Sequence, residues 1–302
     1  MENYDSLFEA QTQQAEQKKS AEQPFDKGAW VEKKKQDLHE AYQAIDGMSK
    51  KVFSDNNALK GYLDFQSHFR TYGTSNVLLI LAQKPEATQL AKYDDWAKRG
   101  RSVKRRQTGI KILDSEDYPR DDGSTGRYYY VDYVFDISQT YGREITQGQT
   151  PKRNMQTLIK ALVQGAPIPV KTDNTMAEGV KARYMPDDKT IHIQKGMDGA
   201  VIFSLISKEM VQAQLDKGEG KYDRSVNDFK AECVSYILCK RYGISAAEHG
   251  LEAIPDAYKE KEPRELKEVL TGIRQTANDI SNRMDLNLTA FEKQRSEPQA
   301  ER

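Results

Sequence analysis

The chain reads as an α+β protein, with N-terminal helices and a small antiparallel sheet followed by a mostly helical region with a short sheet. Three observations predict this. Apolar residues recur at helical spacing from Trp30 to Phe69. The period changes to strict alternation in 109–113 and 127–137. Helical spacing returns beyond 152, interrupted by a pair of short alternating runs at 182–185 and 190–194.

The elements follow in order. Residues 2–27, rich in Gln, Glu, Lys and Ser, carry too few apolar side chains to pack and read as a disordered arm over 1–28. Asp26 is a candidate cap for a first helix on which Trp30, Lys34, Leu38, Ala41, Tyr42, Ile45 and Val52 share spacing. A second helix opens near Asp55 and carries Leu59, Tyr62, Leu63, Phe65 and Phe69. Gly73-Thr74-Ser75-Asn76 breaks it and caps a short apolar helix, 77–83, that Pro85 terminates. A turn of helix at 94–98 bears Trp96.

The strands 109–113 and 127–137 are joined through a turn containing Asp121-Asp122-Gly123-Ser124. In the second strand Val131, Tyr133, Phe135 and Ile137 form the expected core face, opposite Tyr128, Tyr130, Asp132 and Val134. The polar, glycine-bearing stretch 141–151 reads as a linker. Beyond it come a helix at 152–164, a strand at 168–171, the hairpin around Pro186-Asp187-Asp188-Lys189, and helices at 199–217 and 226–242 with Gly243 as a stop. A last helix begins near Pro263 and uses Leu266, Val269, Leu270, Ile273, Ala277 and Ile280. These give domains at 29–145 and 151–285, with a frayed tail at 286–302.

At 302 residues, two domains are the default. Charged residues make up 30% and apolar ones 37%, with a mean hydropathy of -0.82, so the chain is very polar. No apolar run approaches membrane-spanning length and residues 1–20 lack the apolar core of a signal peptide, which leads to an expected cytoplasmic location. Cys233 and Cys239 fall six apart on one helix and read as reduced, buried residues. The formal net charge is zero, so nucleic-acid binding has to be argued from local clustering.

Such a cluster exists. Lys98, Arg99, Arg101, Lys104, Arg105 and Arg106 follow one another with no acid between them, and Lys111 lies just beyond. Clustered cations suit phosphates, and the nearby aromatic side chains of Trp96, Tyr128 and Tyr130 offer faces for unpaired bases, each worth roughly 1–3 kcal/mol where it stacks. The competing reading has the charges on a solvated loop and Trp96 in the core.

The second chemical signal is Lys208-Glu209-Met210-Val211-Gln212. A zinc peptidase would carry His-Glu-x-x-His on such a helix, with the two imidazoles on one face gripping the metal and the glutamate activating its water. Glu232, on the next helix, lies where a third ligand would come from. Here Lys208 presents an ammonium and Gln212 an amide, neither a useful zinc ligand, so the site reads as degenerate with no metal and no cofactor. Apolar neighbours on both helices predict that Glu209 and Glu232 are largely buried, which requires a cation between them. Lys208 is the expected cation, pairing with both. The alternative has Lys208 reaching solvent and Glu209 bonded to backbone.

Taken together, the segments from Phe69 to Ile80, Tyr93-Asp94-Asp95-Trp96, Gly100-Arg101-Ser102-Val103-Lys104, Thr108-Gly109-Ile110-Lys111-Ile112-Leu113 and Val134 to Thr140 resemble the N-terminal domain of ArdC-type antirestriction and LtrC-like proteins of conjugative elements. The resemblance spans roughly 59–242. It implies a single-stranded-DNA-binding domain joined to a zincin-like metallopeptidase domain of the ImmA/IrrE type. Glu209 then stands at the family's catalytic glutamate and Glu232 at its third ligand, while Lys208 and Gln212 replace the histidines. A Gly-Glu-Lys-Gly-like turn of the family is replaced by Arg105-Arg106-Gln107-Thr108.

The expectation is therefore a non-catalytic, single-stranded-DNA-binding accessory protein of a plasmid, conjugative element or prophage. Lys98, Arg99, Arg101, Lys104, Arg105, Arg106, Lys111, Tyr128 and Tyr130 would form the DNA site. One alternative is an active zinc enzyme in which His192 joins Glu209 and Glu232 as ligands. The other is an interaction scaffold whose peptidase-like groove holds a partner protein or peptide.

Overall fold

In a computed structural model of the protein, the structure describes residues 26–145, 153–216, 218, 222–245, 251 and 254–296. The first helix, α1, is Lys27–Val52, and the Asp26 carboxylate accepts from the backbone N–H groups of Gly28 and Ala29. Helix therefore begins inside the expected arm, whose residues 1–25 lie outside the described set. Asp55 caps α2, Asn56–His68, in the same way through Asn57 and Ala58. Helix α3, Thr74–Gln83, starts earlier than expected: Gly73 is its cap residue, and Thr74, Ser75 and Asn76 are already helical.

Strand β1, Leu90–Ala91, leads into α4, Tyr93–Lys98, and then to β2, Arg101–Val103. Strands β3, Ile110–Pro119, and β4, Thr125–Asp136, form a long antiparallel hairpin with Ile110 opposite Val134 and Glu116 opposite Tyr128. Strand β3 runs six residues past the expected end at 113, because its outer half is exposed and carries polar side chains with little apolar signal. The expected single core face of β4 is also corrected. Val131 and Val134, an odd number of residues apart and so on opposite faces, are both buried, whereas Tyr133 is 38% exposed. The inner half of the hairpin is covered on both sides.

A single 3-10 turn, Ile137–Gln139, precedes β5, Thr140–Gly142, which pairs antiparallel with β2. The start of the expected linker is thus strand, and its residues 146–151 fall outside the described set. Helix α5 is Met155–Gln164. A three-stranded sheet follows in the order β6 (Val170–Thr172), β8 (Thr190–Ile193), β7 (Ala182–Met185), with β6 parallel and β7 antiparallel to β8. Helices α6, Gly199–Leu215, and α7, Arg224–Arg241, lie side by side, and Gly243 closes α7 at φ 67, a left-handed conformation that suits glycine.

The last helix, α8, is Pro263–Ser296, so the chain stays helical beyond the fraying point expected at 286. Leu266, Leu270, Ile273, Ala277, Ile280, Met284 and Leu288 form its buried stripe, each at most 1% exposed. That stripe meets α1 and α3 on one side of the expected domain boundary and α5 and α7 on the other. One apolar core results. Each fully buried Leu or Ile in it contributes roughly 1.5–3 kcal/mol. Polar ties reinforce the join: Arg70 pairs with Asp285 at 2.6 Å, and the Tyr236 hydroxyl donates to Asp64 at 2.9 Å.

Candidate functional site

Helices α6 and α7 bring together Lys208, Glu209, Gln212 and Glu232, the four residues expected to form a degenerate metal site, but with partners that differ from expectation. Glu209 is 1% exposed. Its carboxylate accepts from both terminal nitrogens of Arg224, at 2.7 and 2.6 Å, and from the backbone N–H of Tyr184 at 2.7 Å. Lys208 donates to Glu232 instead, and the two side chains are 20% and 18% exposed. The expected bridge from one lysine to both carboxylates is therefore replaced by two separate ion pairs. Lys208 and Glu209 are neighbours on the helix and point about 100° apart, so they address different partners.

Gln212, fully buried, donates its amide N–H to Asp228 at 2.7 Å and accepts from the Tyr222 hydroxyl at 2.9 Å. Arg224 also lies 3.4 Å from Asp228. The Glu209 ion pair drives the Arg224 pKa further up, with burial opposing it. Both carboxylates that could serve a metal are thus held by cations. Among the described residues, no group of three or more His, Cys, Asp or Glu side chains is placed to hold a metal ion.

His192 does not join this centre. On β8 it alternates with the buried Ile191 and Ile193, which places it on the face of the sheet away from their core. There its Nδ1 lies 2.9 Å from Asp173 and its Nε2 2.9 Å from the Thr190 hydroxyl. These two contacts occupy both ring nitrogens. Asp173 responds: the hydrogen bond to His192, assisted by Thr175, holds its carboxyl at about 2.

The basic segment is largely committed to internal contacts. Arg101 donates to the Thr140 hydroxyl at 2.7 Å and to the carbonyls of Arg143 and Thr140 at 2.5 and 3.2 Å, fastening β2 to β5. Lys104 reaches the Ser138 carbonyl at 2.8 Å. Lys98 pairs with Asp95, and Arg99 lies 5.2 Å over the ring of the fully buried Trp96, whose indole N–H donates to the Phe135 carbonyl. Lys111 is held by Asp37 and Glu40 of α1 at 2.8 and 3.0 Å. Exposed Arg105 and Arg106 remain open to solvent, the latter at φ 61.

The tyrosines sit elsewhere on the hairpin. Tyr128 and Tyr130 face Glu116 and Asp114, whereas the basic loop adjoins the opposite end at Ile110. At about 3.3 Å per residue, the six-residue offset from Ile110 to Glu116 separates the two by roughly 20 Å. Tyr128 is 45% exposed and donates its hydroxyl to Glu116; Tyr130 donates to the same carboxylate at 3.4 Å. Burial raises the Tyr130 pKa, and the Glu116 hydrogen bond raises that of Tyr128.

These tyrosines line a groove of about 410 Å³ with Trp30, Lys34, Lys35 and Leu38 of α1. Consecutive residues of β4 line it, as a strand edge does. Indeed β1 pairs with β4 only at Phe135 and Asp136. Trp30 and Tyr129 are 50% and 52% exposed here, and Lys34 lies 5.7 Å over the indole.

Sequence reasoning missed Arg224, Trp30, Lys34, Lys35 and Tyr129. A signal for the first was present, since Arg224, Asp228 and Glu232 recur four apart and share one face of α7. Trp30 and Tyr129 carried none, because large aromatics ordinarily mark core.

No protein-family model matches the chain, and no curated protein matches it. Among the similar solved structures are two of the antirestriction protein ArdC from plasmid R388. The metal-free crystal structure is 17% identical, covering 71% of this chain and 86% of that one with a TM-score of 0.46. The Mn(II)-bound structure is 16% identical, covering 73% and 86% with a TM-score of 0.49. The likeness is confined to the fold.

Proposed function

We propose that the chain is a non-catalytic single-stranded-DNA-binding protein, antirestriction-like and in the service of a plasmid, conjugative element or prophage, with an idle zincin-like half. The groove between α1 and β4 carries the binding part of this reading. Base stacking needs aromatic faces at the surface, and Trp30, Tyr128 and Tyr129 are exposed there beside Lys34 and Lys35. Phosphate contacts come from these lysines, and Arg105 and Arg106 supply a second, separate set. The remaining cations of the basic segment already have partners within the fold.

The idle half follows from ligand chemistry. A catalytic zinc needs three protein ligands and an open position for water, and here Lys208 and Gln212 offer no useful lone pair while the Glu209 carboxylate is already engaged by Arg224. The antirestriction role rests on the resemblance of residues 59–242 to the ArdC and LtrC-like proteins.

Fluorescence anisotropy with labelled oligonucleotides at two salt concentrations tests the binding. Single strands should bind more tightly than duplex, and a Trp30→Ala, Tyr128→Ala double variant should lose about thirtyfold or more, as two stacked bases would. Equal affinity for the variant and the parent would remove the groove from the account.

A further inference from the structure

A cluster of arginines lies where the loop after α2 meets α7 and α8. Arg70 donates to Asp285 at 2.6 Å and to Asn282. Arg274, three turns earlier on α8, donates its Nε–H to the Tyr72 carbonyl at 2.7 Å. Arg241, at the end of α7, donates Nη1 to the Ser281 hydroxyl at 3.0 Å, while its Nε and Nη2 are buried without a hydrogen-bond partner. The side-chain oxygen of Asn278, on the same stripe of α8, is likewise buried and unpartnered.

The charge does not balance. Arg70, Arg241 and Arg274 bring three positive charges, and Asp285 is the carboxylate among the groups acting most strongly on Arg241. Asp285 is itself shared, accepting from Arg70 and from the Tyr242 hydroxyl at 2.9 Å. Burial first, and then the Arg70 and Arg274 charges, push Arg241 down to about 10. A half-buried guanidinium with orphaned N–H groups and cationic neighbours is costly unless an anion completes it.

We infer that Arg70, Arg241 and Arg274 form a binding site for one phosphate-type oxyanion, separate from the α1–β4 groove and from the Glu209 centre. Planar guanidinium forks match tetrahedral oxyanions two N–H groups at a time. The Arg70–Asp285 pair, 34% and 41% exposed, is the more accessible part of the cluster, and both of its charges act on Arg241. The oxyanion enters by displacing the Asp285 carboxylate from Arg70. Free phosphate and a phosphodiester of a nucleic acid share this chemistry.

Titration calorimetry of the full chain with inorganic phosphate is the primary test, since it does not depend on whether the protein binds DNA. Saturable binding is expected. Arg241→Met should weaken it by at least about tenfold, the worth of one charge-assisted hydrogen bond. It should leave the phosphate-free melting temperature unchanged or higher, because the variant removes an unpaired charge. Asp285→Asn, which takes away the competing carboxylate, should tighten binding. Any general stabilisation by phosphate as an excluded salt persists in the Arg241 variant and is thereby separated. Competition between phosphate and an oligonucleotide would identify the source as a phosphodiester; saturable phosphate binding without competition would identify free phosphate. No saturable phosphate binding, or equal binding by the parent and Arg241→Met, overturns the site.

Discussion

Arg224 and Glu209 meet fork to fork, two N–H groups on two carboxylate oxygens at 2.7 and 2.6 Å, in a place where the glutamate is 1% exposed. Removing one partner strands the other. Arg224→Ala should therefore destabilise the protein by about 3–5 kcal/mol, read as a shift in the urea midpoint. Replacing both residues by methionine should recover only part of that loss, since an apolar pair of similar volume is roughly neutral for the ion pair but leaves the Tyr184 N–H without its acceptor. A single variant as stable as the parent would show that the pair carries no such weight.

Lys208 and Gln212 occupy the two positions where a His-Glu-x-x-His motif would carry its histidines. Lys208 and Gln212 are four apart on α6, and Lys208 already touches Glu232. A Lys208→His, Gln212→His double variant should hold about one zinc after dialysis, measured by mass spectrometry of the metal, because it restores two imidazoles opposite a carboxylate. The parent chain should retain none at stoichiometric level. Zinc-free double variant would mean that the spacing of α6 and α7 is not that of a metal site.

Within the basic segment, fold and binding contributions should separate by residue. Arg101 fastens β2 to β5 through carbonyl and hydroxyl oxygens, so Arg101→Ala should cost about 1–2 kcal/mol of stability. Arg105→Ala together with Arg106→Ala should leave stability near the parent and lower the salt slope of oligonucleotide binding by about 0.7 for each phosphate no longer neutralised. Arg106→Gly should stabilise by about 1 kcal/mol, because the residue sits at φ 61. An Arg101 variant that melts with the parent yet fails to bind DNA would reverse these assignments.

The helices were legible because Asp26 and Asp55 announce their caps and the apolar stripes are regular. The outer half of the β3–β4 hairpin was not, since neither of its faces is buried against a core and alternation fades. The pattern on α6 and α7 singled out Glu209, Gln212 and Glu232, which the structure places in one polar cluster with Arg224 and Asp228. Their partners stayed hidden because a charge pair across two helices leaves no period in either one. The α1–β4 groove was hidden for a related reason: whether Trp30 or Trp96 faces solvent is decided by tertiary contact, and here Trp96 is buried while Trp30 is half exposed.

Asp173 supplies a test in acid. Its carboxyl falls from 3.8 to about 2 through the hydrogen bond to His192, with Thr175 assisting. A depressed folded-state pKa means that the unfolded chain binds the proton first as pH drops. The pair's contribution is thus complete above pH 3.8 and is lost as pH falls towards about 2. Urea unfolding of the parent and of Asp173→Asn, compared across that window, should show a stability gap that is constant at higher pH and closes on acidification. His192→Asn should give the same closing gap, because the imidazole at 2.9 Å is the largest cause of the shift. A gap that stays flat down to pH 2 would assign the depressed pKa to some other neighbour of Asp173.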